Sequence, residues 1–318
     1  MRAAASKVAA TKPGYVPANS LSRALALIGD RWSILILAAA FQGTRRFDDW
    51  RTGIGIASNI LANRLEWLVK IGCLRKVSVT EGARRKEYRL TTMGADVYSA
   101  ALMFWRFDRL WSRRRAGQPA TLTHTRCGQL MNPVCVCANC HMPVRAYNVT
   151  YRDGPGAGFD SASSSKRRRR AASTLDERAS GYLLIGESID VIGDRWTQEV
   201  LSSLYLGAHR FEEIRARCGV APNILSARLK LLVRNGMLQQ RVCATSPQHH
   251  EYVLTPKGLD VYPMLLMLMK WGDRWLAGSA GPPHILTCKH CDSVLDPVVR
   301  CDQCGGDLDP QQVTFRRR

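Results

Sequence analysis

The stretch Ile28-Gly29-Asp30-Arg31-Trp32 is spelled out a second time at residues 192–196, and the offset, 192 − 28 = 164 positions, holds without a gap through the surrounding sequence. At that shift Arg46-Phe47 meets Arg210-Phe211, Asn59-Ile60-Leu61 meets Asn223-Ile224-Leu225, and Arg64-Leu65 meets Arg228-Leu229. Glu87-Tyr88 likewise meets Glu251-Tyr252, Leu90-Thr91 meets Leu254-Thr255, Gly94 meets Gly258, Asp96-Val97-Tyr98 meets Asp260-Val261-Tyr262, and Trp111 meets Trp275. Stacking repeats run to roughly 20–50 residues, so copies spaced this far apart each need a core of their own. The chain is restricted to two similar folded units in line.

A length of 318 residues with 46% apolar residues suits about two globular domains. The longest apolar runs, Ile34–Phe41 and Met264–Met269, fall short of the ~20 residues that span a bilayer, and the Ala/Lys-rich start lacks the apolar core of a signal peptide. A cytoplasmic location, on the nucleoid and away from membranes, is expected. The formal net charge of +20 points to a polyanionic partner, and nucleic acid is the commonest one. The charge is uneven: residues 20–115 hold eighteen Lys/Arg against eight Asp/Glu, +10, whereas residues 184–279 hold eleven against nine, +2. The first copy should dominate the electrostatic grip.

The expected organisation is an N-terminal tail (1–19), a first folded unit (20–115), a short cysteine-bearing segment (120–150), a linker (151–180), a second folded unit (181–279) and a second cysteine-bearing segment (284–310). Asp153–Ser165 is rich in Gly, Ser and Ala and runs into Lys166-Arg167-Arg168-Arg169-Arg170, a composition with nothing to bury. The basic run suits non-specific contact with DNA phosphates, and equally a solvated linker.

Within the first copy, Leu21–Ile28 and Trp32–Phe41 show helical spacing, with Asp30 as an N-cap between them. Arg46–Thr52 reads as a third short helix closed by Gly53-Ile54-Gly55. Ser58 then caps a fourth helix, Asn59–Ile71, whose Leu61, Leu65 and Leu68 line one face while Asn59, Asn63 and Glu66 look away. After Gly72 the period becomes alternating, Leu74, Val77 and Val79 leading to a polar turn at Glu81–Lys86 and back through Tyr88-Arg89-Leu90. A last helix is expected over Thr92–Trp111. The second copy repeats the order, with Pro222 at the place of Ser58. The fold class is therefore mainly α with small β-hairpin wings: two winged helix-turn-helix domains, each followed by a short ribbon-like segment.

In such a unit the fourth helix enters the major groove, where Asn bonds bidentately to adenine, and the hairpin lies along the phosphates. Ser58, Asn59 and Asn63 in the first copy, and Asn223 and Ser226 in the second, are the candidate base readers. Arg45, Arg46, Arg84, Arg85, Lys86 and Arg210 are candidate DNA-backbone contacts. Arg64 and Arg228 sit beside the apolar stripe and suit a bracing role against an acidic neighbour such as Asp48 or Glu212.

Taken together, IGDRW, then RF, then NILxxRLxxLVxxG, then EYxLTxxG, resembles the HxlR-type winged-helix transcriptional regulators over nearly all of residues 20–113 and again 184–277. The resemblance implies likeness to MarR-type regulators, which bind operator DNA as homodimers paired through their terminal helices. A chain with two copies can build that pair within itself, as a monomeric pseudo-dimer on an imperfect palindrome, or can form a homodimer of chains. Many members of the family carry a reporting cysteine just before the first helix; here those stretches, Pro17–Leu21 and Gly181–Ile185, have none.

The 164-residue shift also carries Cys127 to Cys291, Cys137 to Cys301 and Cys140 to Cys304, and sets His124 against Cys288. Paired C-x-x-C knuckles are the usual frame of tetrahedral zinc, and His for Cys is a replacement that zinc accepts. Two structural zinc ions are expected, one held by His124, Cys127, Cys137 and Cys140 and one by Cys288, Cys291, Cys301 and Cys304, with Cys135 as a competitor in the first. Cys73, Cys218 and Cys243 suit small apolar filler.

The expected function is a sequence-specific regulator that binds double-stranded DNA. The alternatives are an adaptor whose second unit and ribbons dock a protein such as the transcription machinery, and a metal- or redox-responsive regulator. No phosphate loop, nucleophile elbow or acid–base carboxylate set points to an enzyme.

Overall fold

A computed structural model of the chain describes residues 15–78, 86–112, 121–161, 188, 195–243 and 246–316. After a short strand, Tyr15–Pro17 (β1), come four helices, Ser20–Ile28 (α1), Arg31–Phe41 (α2), Phe47–Ile54 (α3) and Ser58–Lys70 (α4). An antiparallel hairpin, Leu74–Ser78 (β2) with Lys86–Leu90 (β3), and the helices Thr92–Ala95 (α5) and Tyr98–Trp111 (α6) complete the first winged unit. Short strands follow at Thr121–His124 (β4), Leu130–Met131 (β5), Pro133–Cys137 (β6), Val149–Asp153 (β7) and Phe159–Ser161 (β8). The second winged unit repeats the plan with Arg195–Tyr205 (α7), Phe211–Cys218 (α8), Pro222–Arg234 (α9), Leu238–Cys243 (β9), Ser246–Leu254 (β10), Pro256–Leu259 (α10) and Tyr262–Leu276 (α11). His284–Cys288 (β11), Pro297–Cys301 (β12) and Val313–Arg316 (β13) end the chain's described part. The fold class is the expected one, mainly helical with small hairpin wings, but the expected tail 1–19 and linker 151–180 are corrected where they meet: β7 pairs with β11, β8 pairs with β1, and Asp160 of β8 is held by Arg23 of α1 at 2.8 Å. Among the described residues no single helix is long and apolar enough to cross a membrane.

Local chemistry explains the repeated motifs. Asp30 of the first IGDRW caps α2, its carboxylate accepting from the Ser33 backbone N–H at 3.2 Å and the Ser33 hydroxyl at 2.5 Å. The same carboxylate lies 3.3 Å from the Arg64 guanidinium on α4, so one side chain starts a helix and anchors another. This corrects the expected brace: Asp48 pairs with Arg51 and Glu212 with Arg215 instead, each within its own helix, where the spacing of three residues brings them together. In the second copy the equivalent Asp194 lies outside the described residues. The LTxxG motif is a corner. Thr91 caps α5 through the Gly94 N–H and donates to the Gly72 carbonyl, and a Cβ on Gly94 would collide with the Cys73 carbonyl oxygen. Thr255 and Gly258 repeat this against Gly236 and Met237.

Two expected helix boundaries change. Thr92–Trp111 is not continuous, because the Val97 N–H reaches the Gly94 carbonyl three residues back, and the chain turns before α6 begins. Nor does Ser58 cap α4: Ala57 holds the N-cap position without a side-chain bond, and Ala221 does the same at α9. In the first turn of α4 the Ile60 N–H is taken by the Asn59 side chain at 2.9 Å, and α9 opens on Pro222, whose ring nitrogen has no hydrogen to leave unpaired. On the inner face Leu61, Leu65 and Leu68, with Leu225, Leu229 and Leu232 in the second copy, are essentially fully buried, each worth about 1.5–3 kcal/mol.

The two units pack on each other through helices. α1 lies along α11, so closely that a Cβ on Gly272 would collide with the Ser20 carbonyl, and α6 also lies against α11. Two tryptophans clasp reciprocally: Trp111 Nε1 donates to Asp260 at 2.8 Å and Trp275 Nε1 donates to Asp96 at 2.9 Å, a pair related by the same shift of 164. Arg274 pairs with Asp96 at 3.0 Å and Arg106 with Asp260 at 3.6 Å.

The ribbon strands cross between copies. β4 pairs with β13, β7 with β11 and β6 with β12, all antiparallel. In the last of these Cys135 faces Val299, and 135 + 164 = 299, so the local two-fold axis runs through that residue pair. Each half of the ribbon module is completed by the other.

Candidate nucleic-acid interface and metal centres

The outer face of α4 exposes Ser58, Asn59, Asn63 and Glu66. Arg64 is spoken for by Asp30, and Trp67 tucks inward, its indole donating to the Leu27 carbonyl at 2.8 Å. On α9 the exposed positions are Asn223, Ala227, Lys230 and Arg234, with Ser226 half-buried. All five candidate base readers therefore stand on a solvent-facing side of their helix. Lys230 and Arg234 were missed as candidates. They were findable, since the shift of 164 places Lys230 opposite Glu66, an exchange of charge sign on a face where only Asn59 and Asn223 match.

The backbone-contact candidates separate into groups. Arg45 and Lys86 are exposed, and Arg45 is tied to the wing, its carbonyl accepting from the Tyr88 N–H at 2.9 Å. Arg46 and Arg210 are also exposed but each leans on a wing carboxylate, Glu87 at 3.7 Å and Glu251 at 3.6 Å. Those contacts hold the turn before α3 or α8 against the wing. Arg84 and Arg85, at the expected wing tip, lie outside the described residues. Beneath the first wing Lys76 sits 5.5 Å from the Tyr88 ring centroid, and Tyr88 meets Trp50 edge-on at 5.9 Å, so the hairpin rests on an aromatic base.

The eight expected ligands come together, but not in the expected groups. One cluster is His124, Cys127, Cys301 and Cys304; the other is Cys137, Cys140, Cys288 and Cys291, with the ligand atoms of each within 4.8 Å of one another. Each takes the first knuckle of one copy and the second knuckle of the other, because the crossed strands carry the knuckles with them. The within-copy grouping is corrected accordingly. Cys135 belongs to neither cluster; it is buried in the core, and burial pushes its thiol up to about 12. Cys73 and Cys218 are likewise pushed up by burial, to about 12 and about 11, as suits filler thiols. The Cys243 side chain lies outside the description.

The distances suit a tetrahedral ion. Zinc–sulfur bonds of about 2.3 Å set sulfurs about 3.8 Å apart and a nitrogen about 3.6 Å from a sulfur. In the all-cysteine cluster Cys137–Cys291 is 3.9 Å and Cys140–Cys288 is 3.8 Å. In the other, His124 Nδ1 lies 3.5 Å from Cys127 Sγ and 3.3 Å from Cys304 Sγ, and Cys127–Cys301 is 4.0 Å. Both clusters can hold a metal ion, and the donor set is compatible with zinc. Donors also surround the sulfurs: the Asn139 amide and then the Ser293 N–H hold the Cys291 thiol down to about 6, and the Gly306 N–H lowers that of Cys304.

The HxlR-like helix-turn-helix family model matches residues 27–115 and 191–280. An uncharacterized HTH-type transcriptional regulator of Mycobacterium bovis is 38% identical over 144 residues, 45% of this chain and 90% of that protein. Since 144/0.90 is about 160, that relative is about as long as one repeat. YvaP of Bacillus subtilis, another uncharacterized HTH-type transcriptional regulator, is 33% identical over 91 residues, 28% of this chain and 84% of its own length. The crystal structure of the transcription-factor candidate PA1607 has 32% identity and a TM-score of 0.36, covering 38% of this chain and 85% of that one. With both copies matched over more than half of its length, the chain belongs to the HxlR-like helix-turn-helix family.

Proposed function

We propose that the chain is a sequence-specific transcriptional regulator that reads double-stranded DNA with α4 and α9 together, as an intramolecular pseudo-dimer on an imperfect palindrome, with two structural zinc ions and no catalytic role. The observation that carries this is the pair of reciprocal Trp–Asp hydrogen bonds, which hold two winged helices to one another through their terminal helices. Ser58, Asn59, Asn63, Asn223, Ser226 and Lys230 would meet base edges. Arg45, Arg84, Arg85, Lys86 and Arg234 would meet phosphates, with Arg46 and Arg210 helping to orient the wings. In this proposal the protein works in the cytoplasm on the nucleoid, as a single chain.

In vitro selection of random duplex DNA by the zinc-loaded protein tests it, followed by titration of the enriched duplex at several salt concentrations. Two unequal half-sites about one helical turn apart, with a steep salt slope, are expected. A single half-site would mean that the second winged unit and the ribbons serve a protein partner instead.

A further inference from the structure

The crossed grouping of the cysteines gives the metal a task that a within-copy ribbon does not have. An ion in either cluster is bonded to one knuckle from each copy, so it joins the two units as firmly as it holds the ribbon. The bond network leads on to the helices. The Ala138 N–H, in the knuckle Cys137–Cys140, donates to the Asp296 carbonyl at 2.8 Å, and Lys270 on α11 donates to the Asp296 carboxylate at 2.5 Å and the Pro297 carbonyl at 2.8 Å. On the other edge Tyr151 of β7 meets Tyr262 of α11 hydroxyl to hydroxyl at 2.5 Å. The all-cysteine cluster is thus coupled to the same helix that receives α1 and carries the Trp275 bond, while on the His124 side β13, paired with β4, brings Phe315 to one small pocket with Tyr98, Leu102 and Trp105 of α6.

The two clusters are related by the shift of 164 but are not alike. The one with His124 brings three thiolates to the ion instead of four, which leaves a zinc complex one negative charge poorer and the ion less strongly held by charge. Its Cys304 is exposed, whereas the all-cysteine cluster has no exposed member. His124 is fully buried, yet its Nε2 has no partner among the described residues, where metal-holding imidazoles ordinarily donate the second N–H to an oxygen that fixes the ring. Gly306 stands where a Cβ would come within 3.2 Å of His124 Cε1 and 3.3 Å of Cys304 Sγ, so the pocket wall on that side is bare backbone.

We propose that the two clusters form a paired metal clasp between the copies and that the His124 cluster is its exchangeable half, so that metal loading sets how firmly the recognition helices are held as a pair, and hence operator affinity. This rests on the proposal that the clusters take zinc and the chain binds DNA. The all-cysteine ion is the permanent member. Release of the His124 ion frees the knuckles Cys127 and Cys301–Cys304 from one another and leaves the copies joined by the helices and one ion.

Zinc counting on paired variants of the full chain separates the groupings. Cys288→Ala with Cys301→Ala removes one ligand from each crossed cluster and should lose both ions; His124→Ala with Cys301→Ala strikes one cluster twice and should lose one. The reverse result, one ion lost from the first variant and two from the second, overturns the clasp. His124→Cys guards against misfolding: it should keep both ions and surrender the first to a chromogenic chelator at least tenfold more slowly than the parent chain. Equal release rates overturn the assignment of the labile site. With the duplex enriched by selection as the probe, removal of the first ion should weaken binding at least tenfold, and an unchanged affinity overturns the link to DNA. Absence of zinc from the folded parent chain would instead refute the zinc proposal on which this one stands.

Discussion

The face that α4 turns to solvent carries Ser58, Asn59, Asn63 and Glu66; the matching face of α9 carries Pro222, Asn223, Ala227 and Lys230. Behind those faces the two helices are alike, with three leucines buried at the same spacing, the same uncapped start and the same Gly at φ near +60° ending the preceding helix. Duplication has therefore kept the positions that hold the helix and, apart from the asparagine at 59 and 223, let go of those that face outward. The charge balance of the whole units, +10 against +2, is inverted on this face, where Glu66 gives way to Lys230. The more basic unit presents the less basic recognition helix, which places base reading and electrostatic grip in different hands.

Substitutions made in parallel in both copies test that contrast. The largest effect should come where the copies are the same. Gly94→Ala and Gly258→Ala each drive a methyl into a carbonyl oxygen and should cost about 3 kcal/mol or more, read by chemical denaturation; a near-neutral result in one copy would show that its corner has relaxed. Trp111→Phe and Trp275→Phe each leave a carboxylate without its indole donor and should cost about 2 kcal/mol, with the double variant showing whether the clasp closes cooperatively.

Base readers should differ between copies. Asn63→Ala should weaken operator binding by about 1–2 kcal/mol and relax preference in one half-site only, while Asn223→Ala acts on the other; an effect on both half-sites would undo their assignment to separate helices. Glu66→Lys should steepen the salt dependence of binding by about one counterion, and Lys230→Glu should flatten it by as much. The smallest change is expected from Arg64→Ala. That ion pair with Asp30 is partly open to water, with side chains 38% and 26% exposed, so thermal unfolding should register less than about 1 kcal/mol.

The helix order, the wing and the division into two units were legible because hydrophobic period and capping chemistry are local, and the repeat supplied each observation twice. Outward placement of Asn59, Asn63 and Asn223 followed from the period of the leucines alone. What was not legible were the partners. Asp30 and Arg64 are 34 residues apart, and only the packing of α2 on α4 brings them to 3.3 Å. The break before α6 lies in the Val97 N–H turning back three residues to the Gly94 carbonyl, which no periodicity records. The grouping of the ligands was hidden for a deeper reason. C-x-x-C spacing defines a knuckle and says nothing of which two knuckles share an ion, and a duplicated sequence reads the same whether its strands pair within a copy or across.

That crossing also bears on the order in which the molecule can assemble. Cys137 faces Pro297 across a separation of 297 − 137 = 160 residues, and His124 faces Val313 across 313 − 124 = 189. The first winged unit has its core and wing in hand once residue 111 is made, but β4, β6 and β7 must wait, with their thiols unligated, until nearly the whole chain has been synthesised. Loops of this length raise the entropy of closure only slowly with each added residue, yet they make the ribbon the last and slowest part to form. In the interval those edge strands and bare knuckles are the part of the nascent chain most open to pairing with the wrong copy, on a neighbouring polypeptide.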